Sequence, residues 1–162
     1  MGDKRKMDVV FRSLDGIHLD TFGGRKIFQK KLYFLQQFGL DLGYAFQFYM
    51  YGPYSRNATE DAFGLQNQNS ILPNVEAQLS GEEVAIVEKL NGFLSKIPSE
   101  KEAYSLELLS SLHFLYHLPY LKGKPREEIE GYLRKLKPQL TFSDEEVAGA
   151  WKLLESFGLL SP

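Results

Sequence analysis

The sequence predicts an α+β domain that is mainly α-helical, with six or seven helices and a small two- or three-stranded sheet in its N-terminal half. Apolar residues recur at helical spacing along most of the chain, and glycine or proline separates these segments. One aromatic run, at 44–51, has the alternation of a strand. The 162 residues, 43% of them hydrophobic and 25% charged, suit a single domain over 1–162. Within it we distinguish an N-terminal part, 1–70, and a helical C-terminal part, 75–162.

The first elements are separated by glycine-containing turns. A helix is predicted from about Lys4 to Leu14, and a short strand from Ile17 to Phe22. Gly23-Gly24 then breaks the chain before a second helix, Arg25 to Phe38. Gly39 ends this helix as a C-terminal glycine does.

An aromatic strand and a further helix complete the N-terminal half. The strand is predicted from Tyr44 to Tyr51, and Gly52-Pro53 forms the turn that follows it. Ser55 or Asn57 can cap a helix that extends to about residue 68. This order of helices and strands makes the predicted fold partly winged-helix-like, although a strand between the second and third helices differs from an ordinary helix-turn-helix.

The C-terminal part is predicted to be entirely helical. The polar run at 66–70 is a loop, and four helices follow it at roughly 81–97, 101–118, 125–137 and 144–157. Two of them begin with a capping box, in which a serine and the glutamate three residues later exchange hydrogen bonds with the backbone: Ser80 with Glu83, and Ser143 with Glu146. The helix at 101–118 is apolar nearly all round and is predicted to be the central buried helix.

Composition narrows the function classes. The net charge is −2, which argues against a protein that coats nucleic acid through bulk charge. The chain has no cysteine, so disulfides, thiolate catalysis and cysteine-based zinc sites are excluded. We find neither a secretory signal nor an apolar run long enough to span a bilayer. The expectation is a cytoplasmic protein that does not bind membranes.

No catalytic residue, metal ligand or cofactor site is predicted. His113 and His117 lie four residues apart on one helix face, a spacing that suits zinc. The glutamate that a metalloprotease motif requires after the first histidine is replaced by Phe114, so a structural or partly exposed histidine pair is the better interpretation. Tyr54 and Ser55 have no histidine or lysine base nearby in the sequence.

The second predicted helix has a basic, glutamine-bearing face. Lys26 and Lys30 lie one turn apart, and Arg25, Gln29 and Lys31 are close to them. Such side chains can neutralise phosphates and read base edges. A solvated face on an amphipathic helix explains the same pattern, and the acidic total charge favours that explanation.

Two segments together resemble a known family. They are GRKIFQKKLYFLQQFG at 24–39 and FYMYGPYSRNATEDA at 48–62. Over residues 5–66 the chain resembles the YwgA-like family of uncharacterised bacterial and archaeal proteins, and more distantly the SocA-like, or Panacea, antitoxin domain. The matching positions are Lys26, Gln29, Lys30, Leu32 and Tyr33 in the helix, and Tyr51, Gly52, Pro53, Tyr54 and Ser55 at the turn.

The antitoxin domain implies a non-enzymatic protein that neutralises a protein partner by direct contact. The predicted function is therefore a binding or regulatory protein that acts through a protein partner or self-association, without cofactors. The predicted contact surface consists of Lys26, Gln29, Lys30, Tyr33, Tyr51, Tyr54 and Arg56. Two alternatives remain: a winged-helix-like DNA-binding regulator that uses the Lys26–Lys31 helix, and an enzyme of unrecognised type.

Overall fold

The computed structural model describes residues 2–67, 79–139 and 141–160 of the chain. Within these ranges the chain forms seven α-helices, one short 3-10 helix and a two-stranded antiparallel sheet. The helices are α1 (Lys4–Leu14), α2 (Phe22–Gln37), α3 (Arg56–Asn67), α4 (Gly81–Leu94), α5 (Glu102–Tyr116), α6 (Arg126–Leu136) and α7 (Asp144–Ser156), and the strands are β1 (Gln47–Tyr49) and β2 (Gly52–Tyr54). The mainly helical α+β class, with its small sheet in the N-terminal half, is confirmed. Of the loop predicted at 66–70, the first two residues belong to α3 and the others lie outside the described residues.

Helix α2 begins three residues earlier than predicted, and the strand predicted at Ile17–Phe22 is wrong. Thr21 is the N-cap of the helix, and its hydroxyl accepts a hydrogen bond of 2.9 Å from the backbone N–H of Gly24. Gly24 also lies against the carbonyl oxygen of His18, where there is no room for a Cβ atom. The paired glycines therefore lie in the first turn of the helix, directly after its cap, and Gly24 is the one that the preceding chain approaches closely.

The strands form a hairpin that is closed by two residues, Met50 and Tyr51. Three residues of each strand are paired: Gln47 with Tyr54, Phe48 with Pro53, and Tyr49 with Gly52. The predicted strand at 44–51 is therefore too long, and the turn predicted at Gly52-Pro53 comes two residues earlier. Gly52, directly after the tight turn, has a φ of +95°, a backbone conformation that only glycine adopts without strain. Pro53 is tolerated in the strand because no third strand among the described residues needs its missing N–H.

The predicted capping boxes are confirmed at α4 and α7. At α4, the Ser80 hydroxyl accepts from the N–H of Glu83 at 3.1 Å, and the Glu83 carboxylate accepts from the N–H of Ser80 at 2.9 Å. Ser143 and Glu146 repeat both hydrogen bonds at α7, with lengths of 3.1 and 3.0 Å. Each box satisfies backbone donors that a helix start would otherwise leave unpaired.

Helix α5 is the central buried helix, as predicted. It packs against α2, α6, α7 and β2, and its buried residues include leucines on every side. Strand β2 also packs against α2, so the hairpin lies over the contact between α2 and α5. In the described ranges, no helix has both the length and the apolar character that crossing a bilayer requires.

We predict that Gly52→Ala lowers the free energy of unfolding by about 2 kcal/mol. The backbone at Gly52 is left-handed, and an added Cβ would lie 2.7 Å from Oγ of Ser111 and 3.5 Å from Nζ of Lys30. Urea unfolding followed by circular dichroism measures the effect. The matched control is Gly131→Ala inside α6, where nothing lies within 4 Å of the new Cβ. That substitution should raise stability by about 0.5–1 kcal/mol, and equal losses at the two positions would contradict the role given to Gly52.

Candidate functional site

Three of the seven residues predicted to form a binding surface are buried. Gln29, Lys30 and Tyr33 each have at most 3% of their surface exposed. The middle of α2 is enclosed because α3, α4, α5 and β2 all pack against this helix. The prediction of an exposed polar face is therefore corrected for these three residues. Gln29 and Lys30 line the cleft from inside, whereas Tyr33 contacts His113 in the interior.

The other four predicted residues reach the surface to different degrees. Tyr51 and Arg56 are exposed, whereas Lys26 and Tyr54 are half-buried. Arg56 points away from the interior and forms an exposed pair with Glu60, with the closest atoms 3.3 Å apart. Tyr51, Tyr54 and Lys26 line the same cleft as Gln29 and Lys30.

Gln29 fixes the end of the hairpin to α2. Its side-chain nitrogen donates to the carbonyl oxygen of Ser55 at 2.9 Å and to the hydroxyl of Thr59 at 2.6 Å. Its side-chain oxygen accepts from the backbone N–H of Ser55 at 2.9 Å. One buried amide thus satisfies both backbone groups of the residue at which the hairpin passes into α3. The Ser55 hydroxyl accepts from the N–H of Ala58 at 3.3 Å and so caps that helix, as predicted.

Lys30 fixes the hairpin itself. Its ammonium group donates to the carbonyl oxygen of Pro53 at 2.8 Å, and Gly52 lies beside it. Burial lowers the pKa of Lys30 to about 7, with Lys137 and Lys26 acting in the same direction and the negative charge of Glu107 opposing them. A buried lysine of this kind titrates near neutral pH.

A buried carboxylate that the sequence analysis missed connects the lysines. Glu107, on α5, is 4% exposed and lies 2.7 Å from Nζ of Lys26 and 3.4 Å from Nζ of Lys137. Lys137 also donates to the carbonyl oxygen of Met50 in the hairpin turn. A signal for Glu107 was present, since it is an acidic residue with a leucine on each side in the middle of a largely apolar helix. The basic end of α6 offered no comparable signal for Lys137, because the helix dipole already explains it.

A cleft of about 330 Å³ lies between the start of α2 and the hairpin. Four exposed side chains surround it, and we call them the aromatic rim: Phe22, Tyr49, Met50 and Tyr51, with 50, 51, 67 and 40% of their surfaces exposed. The rings of Phe22 and Tyr51 meet edge to face, with centroids 4.9 Å apart. Nζ of Lys26 lies 4.8 Å from the centroid of Tyr51, within the range of a cation–π contact. The cleft combines an apolar rim with cationic groups.

The predicted histidine pair lies in a separate buried cluster. The hydroxyl of Tyr33 and Nδ1 of His113 share a hydrogen bond of 2.5 Å, and Nε2 of His117 bonds to the carbonyl oxygen of Leu159 at 2.8 Å. Burial, followed by the nearby His117, lowers the pKa of His113 to about 3. Among the residues that the structure describes, no three acidic or histidine side chains are placed to hold a metal ion. The two rings therefore have structural partners within the protein.

The basic helix directs its charges inward. Lys26 is paired with Glu107, Lys30 is in the interior, and Nζ of Lys31 lies 3.8 Å from Glu102. Phosphate binding requires cations that can reach a nucleic-acid backbone. In this arrangement the lysines of α2 are engaged with partners inside the protein, which does not favour DNA contact through that helix.

We predict that the stability of the wild-type protein, relative to Lys30→Met, rises as the pH increases above 7. The folded chain releases the Lys30 proton near pH 7, whereas the unfolded chain keeps it up to about 10.5. Between these values the unfolded state binds more protons, so stability rises with pH by at most about 1.4 kcal/mol per unit. Urea unfolding of both proteins at several pH values measures the difference. Parallel profiles would show that Lys30 remains charged in the folded protein.

Comparisons with known proteins do not assign a role to this cleft. No protein-family model, curated protein or solved structure matches the chain. A function must therefore be argued from the geometry and the charges of the cleft.

Proposed function

We propose that this chain is a non-enzymatic binding protein that acts through a protein partner, in the antitoxin-like manner that the sequence resemblance implies. The aromatic rim carries the proposal. Its four members are each at least 40% exposed and surround one cleft. Clustered exposed apolar groups are characteristic of interaction sites, and tyrosine, phenylalanine and methionine are enriched there.

The hydrogen bonds that hold the hairpin beneath the rim also favour a binding function. Gln29, Lys30 and Lys137 hold the hairpin through hydrogen bonds to backbone groups of Ser55, Pro53 and Met50. A rim that is fixed before binding loses little conformational entropy when a partner arrives. Large rings that stay in place are also the side chains that most often dominate binding energy.

The enzyme alternative has less support from the same geometry. The shifted pKa of His113 results mainly from burial, and its ring is hydrogen-bonded to Tyr33 in the interior. The Ser55 hydroxyl caps α3. These groups make structural contacts in the interior, whereas each side chain of the rim is at least 40% exposed.

We predict that a photo-crosslinking residue placed at Tyr51 captures one discrete protein in lysate of the native source after nuclease treatment. The same residue at Tyr120 is the matched control, because Tyr120 is 60% exposed but does not line the cleft. Mass spectrometry identifies the captured protein, and a second copy of this chain would identify the partner as itself. Met50→Asp should weaken the complex by about thirtyfold or more, since a charge is then placed in an apolar contact.

Two results would contradict the proposal. One is equal capture at positions 51 and 120, which would mean that the crosslinks are non-specific. The other is a complex whose affinity is unchanged by Met50→Asp, since the partner would then contact another surface.

A further inference from the structure

Cationic side chains outnumber acidic ones around the cleft. Arg25, Lys26 and Lys30 contribute to its lining, and no acidic side chain does so among the described residues. Glu107 lies behind the lining and is shared between Lys26 and Lys137. Below pH 7, where Lys30 is protonated, one carboxylate among three lysines leaves a local excess of positive charge, and a ligand that complements it is anionic.

Hydrogen bonding is incomplete at Lys30, which lines the cleft, and at Ser111, which lies behind Gly52. A lysine ammonium group has three donors, and the Lys30 side chain makes one hydrogen bond in the described structure, to Pro53. The hydroxyl of Ser111 is buried and has no hydrogen-bond partner among the described residues. Both groups lie on the same side of Gly52, at 3.5 and 2.7 Å from the position of its absent Cβ. Buried donors without acceptors are rare in folded proteins and call for an explanation.

The rest of the cleft is suited to an apolar group. The rings of Phe22, Tyr49 and Tyr51 form the rim, and Tyr54 lines the interior. The volume of about 330 Å³ is at the lower end of the range for small-ligand pockets. It therefore suits one or two side chains and not an extended surface.

We propose that the cleft binds an acidic segment of the protein partner, in which one carboxylate contacts Lys26 and Lys30 while a neighbouring apolar or aromatic side chain packs against the rim. This inference rests on the proposed function and names the chemistry of its partner. The carboxylate accepts from the donors of Lys30 that lack acceptors, and it supplies the missing negative charge. Charge-assisted hydrogen bonds of this kind are the strong ones in a partly buried site.

Single-stranded nucleic acid is the competing class of ligand, because bases also stack on aromatic rings beside cations. Nucleic acid requires a basic groove that follows its phosphates over several nucleotides. Here Lys30 is 2% exposed and Lys26 is held by Glu107. Cations inside a small cleft reach a single carboxylate more readily than a phosphate backbone.

Binding of the carboxylate is coupled to the protonation of Lys30. The charged groups that affect Lys30 are Glu107 on α5, Lys137 at the end of α6 and Lys26 on its own helix. A bound carboxylate favours the ammonium form, so the complex takes up a proton when the pH is above 7. The affinity for the acidic segment therefore falls as the pH rises.

The test is a nuclear magnetic resonance titration of the full chain with two matched probes. They are the pentapeptides acetyl-Gly-Phe-Glu-Leu-Gly-amide and its Gln counterpart, which differ only in the carboxylate. Below pH 7 the Glu peptide is expected to shift the amide signals of Lys26, Tyr51 and Gly52 and to bind about tenfold more tightly than the Gln peptide. One unit above pH 7, the affinity for the Glu peptide should be lower by about threefold or more, with that for the Gln peptide unchanged.

Variants separate the two parts of the site. Lys26→Gln should reduce the preference for the Glu peptide, and Tyr51→Ala should weaken both peptides equally. Because Lys30→Met can disturb the hairpin, its amide spectrum is compared with that of the wild type first, and the Lys26 variant keeps the inference testable if the two differ.

Three outcomes would overturn the inference. They are equal affinity for the two peptides, no shift at the cleft with either, and shifts there with oligothymidine alone, which would assign the cleft to nucleic acid. None of them decides the proposed function, because crosslinking at position 51 detects a protein partner of any chemistry.

Discussion

The buried carboxylate of Glu107 and the lysines around it hold the hairpin in place, and the cleft depends on that hairpin. A two-stranded hairpin with three residues in each strand is only marginally stable by itself. Here Lys30 on α2 donates to Pro53 in β2, and Lys137, which directly follows α6, donates to Met50 in the turn. Glu107 partly neutralises these lysines in the interior, where an unpaired charge would be costly.

This arrangement changes how the basic face of α2 is interpreted. Lysine and glutamine on one face of a helix usually indicate that the face is exposed to solvent. The two interpretations of this face, a solvated surface and a nucleic-acid contact, both assumed exposure. The hairpin instead covers that face and offers backbone carbonyl oxygens as acceptors for Gln29 and Lys30. The two sequence segments that carry the family resemblance, this helix and the Gly-Pro turn, are in direct contact in this chain.

The exposed rim of the cleft differs in polarity from the buried groups that hold it in place. The rim is apolar and aromatic, while the groups beneath it are charged or amide-bearing and satisfy the hairpin backbone. A binding surface whose geometry is fixed by buried polar contacts is rigid. These hydrogen bonds and ion pairs must form before the side chains of the rim take their positions. Gly52 lies between the exposed rim and the polar groups beneath it. Its left-handed backbone follows the turn, and its missing Cβ leaves room for Lys30 and Ser111.

The sequence by itself determined the helical class, the capping boxes at Ser80 and Ser143, and the central position of α5. Each of these depends on local hydrogen bonding or on apolar periodicity, which neighbouring residues encode. The strand at 17–22, the position of the hairpin turn and the exposure of Lys30 were predicted wrongly. They depend on the Thr21 cap, on strand pairing and on the packing of α2 by four other elements. The participation of Glu107 and Lys137 was decided only by the tertiary structure, because residues 30 positions apart meet there through the packing of α5, α6 and the hairpin.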